Sequence, residues 1–257
     1  MIFIIGGNGL TGSAIVKNLE EKKIEHKIIQ RDNKEEFFGK HCDVLIFANG
    51  NSLKYKANED PFFDFHASLS SIAEYIHKIN FNLFVLLSSI EVYDHHLSLN
   101  ETKEDVQINE QNLEPYGYHK FLAEKYVQKF AKNFLIFRLP ALVGIGTRKN
   151  PIYDFLHDHK KVMISPKSKL NVLNTSIISK IVLEIIDMKI NNEIFNLAST
   201  NSVTVGDIKN IVNFDSQYTE ESDKYLQTYF INTEKIQKYV KLSNSEESII
   251  QYFKSLK

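Results

Sequence analysis

Met1-Ile2-Phe3-Ile4-Ile5-Gly6-Gly7-Asn8-Gly9-Leu10-Thr11-Gly12 is the stretch on which the fold turns. Ile2 to Ile5 run without a polar break, as a strand buried on both faces requires. The run stops at Gly6, and glycines recur at positions 6, 9 and 12. The period then changes. Leu10, Ala14, Ile15 and Leu19 form one stripe of a helix expected over residues 10–22. Glycine permits the tight turn between the two and lets backbone N–H groups approach a phosphate at the helix N-terminus. Gly12 permits close packing of helix on strand. The spacing G-x-x-G-x-x-G in this place therefore predicts that Gly6, Asn8, Gly9, Leu10, Thr11 and Gly12 hold a nucleotide pyrophosphate. No basic region precedes the apolar run and glycines end it early, so it reads as a strand and not as a signal peptide.

Outward from this stretch the alternation continues. Further strands are expected over 25–30, 43–47, 83–87, 134–137 and 194–197, and helices over 61–79 and 116–132. Pro61 suits the first turn of its helix. Leu122, Tyr126 and Phe130 recur at i, i+4, i+8 as the apolar stripe of the later helix. Strands alternating with helices imply an α/β chain with a doubly wound parallel sheet. Ligands of such sheets bind beyond the carboxyl ends of the strands.

Composition narrows the function. A chain of 257 residues fits one large domain, or one with a smaller lobe. The net charge of −1 argues against binding nucleic acid through phosphate neutralisation. The single cysteine, Cys42, excludes an internal disulfide and suits a reducing, cytoplasmic setting. No apolar stretch approaches the roughly 20 residues that span a membrane. His95 and His96 lack further ligands at a suitable spacing, so no metal is expected. Asp60, Asp64 and Glu74 read as a solvated helix face. His66, His77, His157, His159 and Lys160 read as helix or surface residues.

Chemistry-bearing residues follow the strand ends. Ser88 and Ser89 close the fourth strand, followed by Ile90, Glu91, Val92 and Tyr93. Pro115-Tyr116-Gly117-Tyr118-His119-Lys120 then opens a helix. A Tyr-x-x-x-Lys pair alone carries no information in a lysine-rich chain. In this order, after this glycine loop, it resembles the extended short-chain dehydrogenase/reductase family. That family of NAD(P)-dependent sugar-nucleotide epimerases, dehydratases and reductases has T-G-x-x-G-x-x-G, a strand-end Ser or Thr four residues before the tyrosine of a V-Y motif, and P-Y-x-x-S-K. Ile5 stands for the loop threonine and His119 for the serine. The resemblance implies a Rossmann fold with a small C-terminal substrate-binding lobe, the core spanning 1–144 and 170–198 and the lobe 145–169 and 199–257. It also implies that Ser89, Tyr116 and Lys120 are catalytic. Tyr116 would exchange a proton with a substrate oxygen, its ionisation eased by a nearby ammonium and by oxidised nicotinamide. Lys120 would also hold the nicotinamide ribose, and Ser89 would align the substrate oxygen.

The likeness runs on. Cys42 to Asn49 is similar to the family's strand ending in H-x-A-A, which places Ala48 by the cofactor; Asn49 departs from the second alanine and is implied to lie by cofactor and substrate. Phe137 to Gly144 resembles R-x-x-N-V-Y-G, so Pro140 and Leu142 border the nicotinamide and Ala141 replaces a substrate-touching asparagine. Val172 to Ser176, Glu193 to Leu197 and Ser202 to Val205 resemble further family segments. Only three of the 31 basic residues are arginine: Arg31, Arg138 and Arg148. Each suits a site needing a planar, multi-donor fork. Arg31 after the second strand favours NADP; its neighbour Asp32 would favour NAD, which stays open. Arg148, Lys149 and Asn150 follow the fifth strand, where a cation suits a substrate diphosphate.

Sugar-nucleotide dehydratases carry T-D-E at the serine, and the fucose-nucleotide epimerase/reductases carry a cysteine just after it. Ile90 occupies that place, which argues against both. The resemblance thus implies reduction of a keto group on a nucleotide-activated sugar, most simply a 4-keto-6-deoxy sugar, with Glu91 also near substrate. A deoxysugar pathway and a homodimer through the catalytic helix and the helix at 62–79 are implied with it. The alternatives are an NAD-dependent 4-epimerase, a reductase of a small aldehyde or ketone, and a non-catalytic NADP sensor.

Overall fold

The computed structural model describes residues 1–148, 150–156, 161–212 and 217–256. Lys149, His157, His159 and Lys160 lie outside them. The chain divides into two compact units. The first comprises residues 1–94, 107–138 and 178–195; the second comprises 95–106, 139–177 and 196–257.

The first unit is built on a six-stranded parallel sheet. Its elements are β1 (Ile2–Ile5), α1 (Leu10–Glu21), β2 (His26–Ile29), β3 (His41–Phe47), α2 (Lys54–Glu59), α3 (Pro61–Phe65), α4 (Ser71–Lys78), β4 (Asn80–Ser89), α5 (Pro115–Phe130) and β5 (Phe134–Leu139), with a last strand Glu193–Asn196. The strand order is Glu193–Asn196, β5, β4, β3, β1, β2. Ile2 pairs with His26 on one side and with Val44 on the other, so β1 is central and carries apolar residues on both faces. Phe3, Ile5, Leu45, Phe47, Phe84, Leu86 and Ile136 share one core with Ile72, Ile76, Ala123 and Val127 from the helices.

Two features depart from simple helical periodicity. A π-helical turn, His66–Ser70, joins α3 to α4, so the helix expected over 61–79 changes phase within its length. On α5 the buried residues are Tyr116, Gly117, His119, Lys120, Phe121, Ala123, Glu124 and Val127. The expected stripe of Leu122, Tyr126 and Phe130 is not the core face: Phe130 is 49% exposed.

Among the described residues the second unit has three two-stranded pairings. Ala141–Val143 pairs in parallel with Val172–Asn174, Lys169–Leu170 antiparallel with Val203–Thr204, and Lys161–Val162 in parallel with Gln217–Tyr218. Its core gathers Val143, Ile152, Phe155, Leu170, Val172, Ile208, Ile249 and Tyr252. The helix Ser245–Ser255 starts with a capping box between Asn244 and Glu247. No helix among the described residues is long and apolar enough to cross a membrane.

Candidate active site

The glycine loop is a cradle that tolerates no side chain at its turning points. Gly6 has φ +80°, and a Cβ there would come within 2.9 Å of the Asn49 backbone. A Cβ on Gly12 would run into the Gly6 carbonyl. The Gly9 N–H donates to the Gly6 carbonyl at 2.9 Å, closing the turn, and Gly9 is the N-cap of α1. Asn8 and Gly9 are exposed, Leu10 is half-buried, and Thr11 and Gly12 are buried. Ala48 is fastened beside the loop, its N–H donating to the Ile5 carbonyl at 2.9 Å. Sequence spacing thus brings Gly6, Asn8, Gly9, Leu10, Thr11, Gly12, Ala48 and Asn49 to one end of the sheet.

Past β2 the backbone turns tightly, Asn33 Oδ1 accepting from the Gln30 N–H at 2.7 Å. This leaves Arg31 and Asp32 exposed side by side. Gln30 Nε2 is buried there with no hydrogen-bond partner among the described residues.

β4 carries the serine pair to the same end of the sheet, and its two hydroxyls part ways. Ser88 Oγ donates to Glu124 Oε1 at 2.6 Å, inside the core. Ser89 points to Tyr116, with which it hydrogen-bonds, and accepts the Glu91 N–H at 3.2 Å. Gly117 allows the approach, because a Cβ there would strike the Glu91 carbonyl. Lys120 lies one turn on, its Nζ 5.7 Å from the centre of the Tyr116 ring. Tyr116 is 9% and Lys120 7% exposed.

Burial dominates the electrostatics. It raises the Tyr116 phenol well above its ordinary value; the Glu91 charge adds to this, Ser89 opposes it, and Asp64 adds again. Lys120 is not among the groups that move the phenol most. Burial also lowers Lys120, against the pull of Asp64 and Glu124. Glu91 is ion-paired with Lys54 at 2.9 Å, and Lys54 reaches Glu114 at 3.4 Å. Burial pushes the Cys42 thiol up to about 12, so it stays a thiol in the core.

Arg138 does use its planar fork, but inside the protein. It grips Glu124 with Nε at 3.1 Å and Nη2 at 2.8 Å, while its guanidinium lies 4.7 Å from the Tyr93 ring centre. Its presence in a lysine-rich chain was the one signal that could have revealed Glu124. Asp64 corrects the reading of a solvated helix face. It is 0% exposed, accepting from His119 Nδ1 at 2.7 Å and Ser68 Oγ at 3.3 Å.

Pro140, Ala141, Leu142, Arg148 and Asn150 belong to the second unit. Pro140 is buried, Ala141 and Leu142 are half-buried, and Arg148 is exposed. Asn150 is engaged structurally: its Nδ2 donates to the Leu142 carbonyl at 2.7 Å and its Oδ1 accepts the Tyr153 N–H at 2.9 Å. Among the described residues no three His, Cys, Asp or Glu side chains gather as a metal site would need.

Residues 2–154 match the model of the NAD dependent epimerase/dehydratase family. The chain belongs to this family. No curated protein sequence matches it significantly. Among solved structures the chain is similar to a dTDP-4-dehydrorhamnose reductase from Clostridium acetobutylicum, at TM-score 0.80 and 18% identity, with 99% of each chain covered. It is also similar to a UDP-galactose 4-epimerase, at TM-score 0.80 and 17% identity, covering 99% of this chain and 98% of that one. A third structure, RMD from Pseudomonas aeruginosa complexed with NADPH, superposes at TM-score 0.80 and 12% identity, covering 100% and 99%. At these identities the likeness is one of fold alone, a Rossmann-like parallel sheet flanked by helices.

The residues present fit the dinucleotide for which the epimerase/dehydratase family is named. The glycine cradle has the space that only absent Cβ atoms leave, and the helix N-terminus supplies N–H donors for a pyrophosphate. The orphaned Gln30 amide and the exposed Arg31–Asp32 pair stand where the second strand ends.

Proposed function

We propose that this member of the epimerase/dehydratase family is an NAD(P)H-dependent reductase of a keto group on a nucleotide-activated sugar, a 4-keto-6-deoxy sugar in its simplest form. The reading rests on one observation: Ser89, Tyr116 and Lys120 meet in one buried cluster, and Ile90 brings no further acid or nucleophile to the strand end. Bound nicotinamide would supply the hydride. Gly6, Asn8, Gly9, Leu10, Thr11 and Gly12 would hold its pyrophosphate, with Ala48 and Asn49 beside them. Ser89 donates a hydrogen bond to the substrate carbonyl oxygen. Tyr116, kept protonated by burial, gives that oxygen its proton as the carbonyl carbon is reduced, and an alcohol results. Lys120 balances the charge left on the phenol oxygen. Glu91 and Asn49 are the substrate-side candidates of the first unit; the Asn150 side chain is engaged within the second unit.

Arg31 favours NADPH, since a guanidinium pairs with a 2′-phosphate. Asp32 supports a second reading, a 4-epimerase that keeps NAD bound. Four exposed rings on the outer side of α3 and α5 support a homodimer: Phe62 at 74%, Phe65 at 39%, Tyr118 at 36% and Phe130 at 49% exposure.

The decisive experiment is a fluorescence titration of the cofactor-free protein with NADPH and with NADH, followed by turnover of 4-keto nucleotide sugars. Reversible NADPH binding and consumption of NADPH by the keto sugar are expected. Co-purified NAD that does not exchange, with interconversion of 4-hydroxyl epimers, would replace the reductase by the epimerase. Tyr116→Phe should lower kcat by at least about 100-fold, the low end for a lost general acid, with cofactor affinity unchanged. Undiminished turnover in that variant would remove Tyr116 from the mechanism.

A further inference from the structure

Behind the Tyr116–Lys120 pair lies a second buried cluster. Asp64, at the end of α3, is 0% exposed. One carboxylate oxygen accepts His119 Nδ1 at 2.7 Å, the other Ser68 Oγ at 3.3 Å. Ser68 lies in the π-helical turn His66–Ser70. Gly50, with φ +117°, marks where the two clusters meet. A Cβ placed on it would stand 3.1 Å from Lys120 Nζ and 3.8 Å from Ser68 Oγ. An ammonium, a hydroxyl and a carboxylate are thus stacked behind the catalytic helix.

The charges around Lys120 pair off in only one way. Asp64 and Glu124 are the carboxylates whose fields reach its ammonium. Glu124 is neutralised by Arg138 at 2.8 Å and further bound by Ser88 at 2.6 Å. Glu91, which faces Tyr116, is paired with Lys54 at 2.9 Å. His119 and Ser68 hold Asp64, at 2.7 and 3.3 Å. Among the described residues no lysine or arginine lies within ion-pair distance of Asp64, in contrast to Glu124 and Glu91. A buried ammonium with no opposing charge would shed its proton.

We propose that Asp64 is a positioning residue of the catalytic pair: its carboxylate, fixed by His119 and Ser68, is the counter-charge that holds Lys120 as an ammonium beside Tyr116. His119 stands where the serine of the resembled P-Y-x-x-S-K motif would be, and here it serves the carboxylate rather than the substrate. The inference rests on the Tyr–Lys reading of the site but not on the choice of substrate.

The test reads Lys120 directly. The 13C-ε resonance of Lys120, assigned by its loss in Lys120→Arg, is titrated in the cofactor-free protein. In Asp64→Asn its midpoint should fall by roughly one pH unit, the effect of removing one nearby opposite charge. His119→Leu strips the carboxylate of its shortest donor, so that it is no longer fixed toward Lys120, and should move the midpoint the same way. His119→Asn keeps an N–H donor and should largely restore it. Thermal unfolding is followed in parallel, so that a variant that does not fold is recognised and the folded ones decide. An unmoved Lys120 midpoint in folded Asp64→Asn, or in folded His119→Leu if Asp64→Asn fails to fold, overturns the proposal. Where turnover is measured, the alkaline limb of kcat should move with the Lys120 midpoint. If the midpoint moves while no keto sugar is reduced by the wild-type protein, the counter-charge stands and the reductase reading falls.

Discussion

Burial and the Glu91 carboxylate together keep the Tyr116 phenol protonated, and that state suits a proton donor to a carbonyl. The sign of the pH dependence follows. Reduction needs the protonated phenol, so its rate falls on the alkaline side as Tyr116 ionises. The Glu91 charge raises the phenol's pKa; Glu91→Gln removes that charge, and the alkaline limb of kcat should move to lower pH by up to about one unit. Lys54 keeps Glu114 as a partner at 3.4 Å, so the local fold should survive the change. In the oxidative direction the phenolate is the base, and the same variant should gain rate at lower pH. Parallel pH–rate profiles in both directions check this, and a limb that stays in place would show that Glu91 does not act on Tyr116. At this scale the sequence was legible where a residue's place is tied to a fixed spacing. Gly6, Gly9 and Gly12, and the Tyr116–Lys120 pair, stand where spacing put them. Asp64 was illegible, because an aspartate on a helix looks solvated until the partner that buries it is known, and His119 comes 55 residues later.

α5 is fastened to the sheet at two levels, and each fastening has a sequence cause. Near its start Gly117 lets the backbone touch the Glu91 carbonyl, bringing Tyr116 to Ser89. Two turns on, Glu124 ties the helix to Arg138 of β5 and Ser88 of β4. Gly117→Ala puts a methyl group against a backbone oxygen that no rotamer can move aside. It should cost about 1–3 kcal/mol by overpacking, read as a lower urea midpoint, and should separate Tyr116 from Ser89. A fall in kcat with unchanged cofactor affinity is expected, and full activity at full stability would deny the close approach. Element existence was plain from period and order: β1 and α1 start where the alternation of apolar run, glycine turn and helical stripe puts them. The faces of α3, α4 and α5 were not plain. The π turn His66–Ser70 breaks the 3.6-residue phase, so one pattern cannot serve the whole span from Pro61 to Lys78. On α5 Tyr116, Lys120 and the buried polar residues His119 and Glu124 occupy the inward stripe, and that displaced the apolar stripe of Leu122, Tyr126 and Phe130 toward solvent.

That outward stripe sets the expectation for the whole molecule. Tyr126 and Phe130 pack at 4.4 Å between ring centres, and His77 of α4 joins them through the Tyr126 hydroxyl at 2.8 Å. Phe130, with Phe62 and Phe65 of α3 and Tyr118 of α5, is an exposed ring that a solitary chain would leave in water. A two-fold pairing presents the same patch to itself and buries the same rings in both protomers. The molecule should therefore sediment as a dimer of its 29.8 kDa chain at micromolar concentration. Placing like charges in the middle of that face, as in Phe62→Asp with Tyr118→Asp, should yield monomers. Those monomers should keep the Ser89–Tyr116–Lys120 cluster, whose contacts all lie within one chain, and so retain nicotinamide binding. Lost binding together with lost dimer would mean that the partner chain supports the site. A wild-type chain that stays monomeric over the whole concentration range would mean that the exposed rings serve something other than self-association.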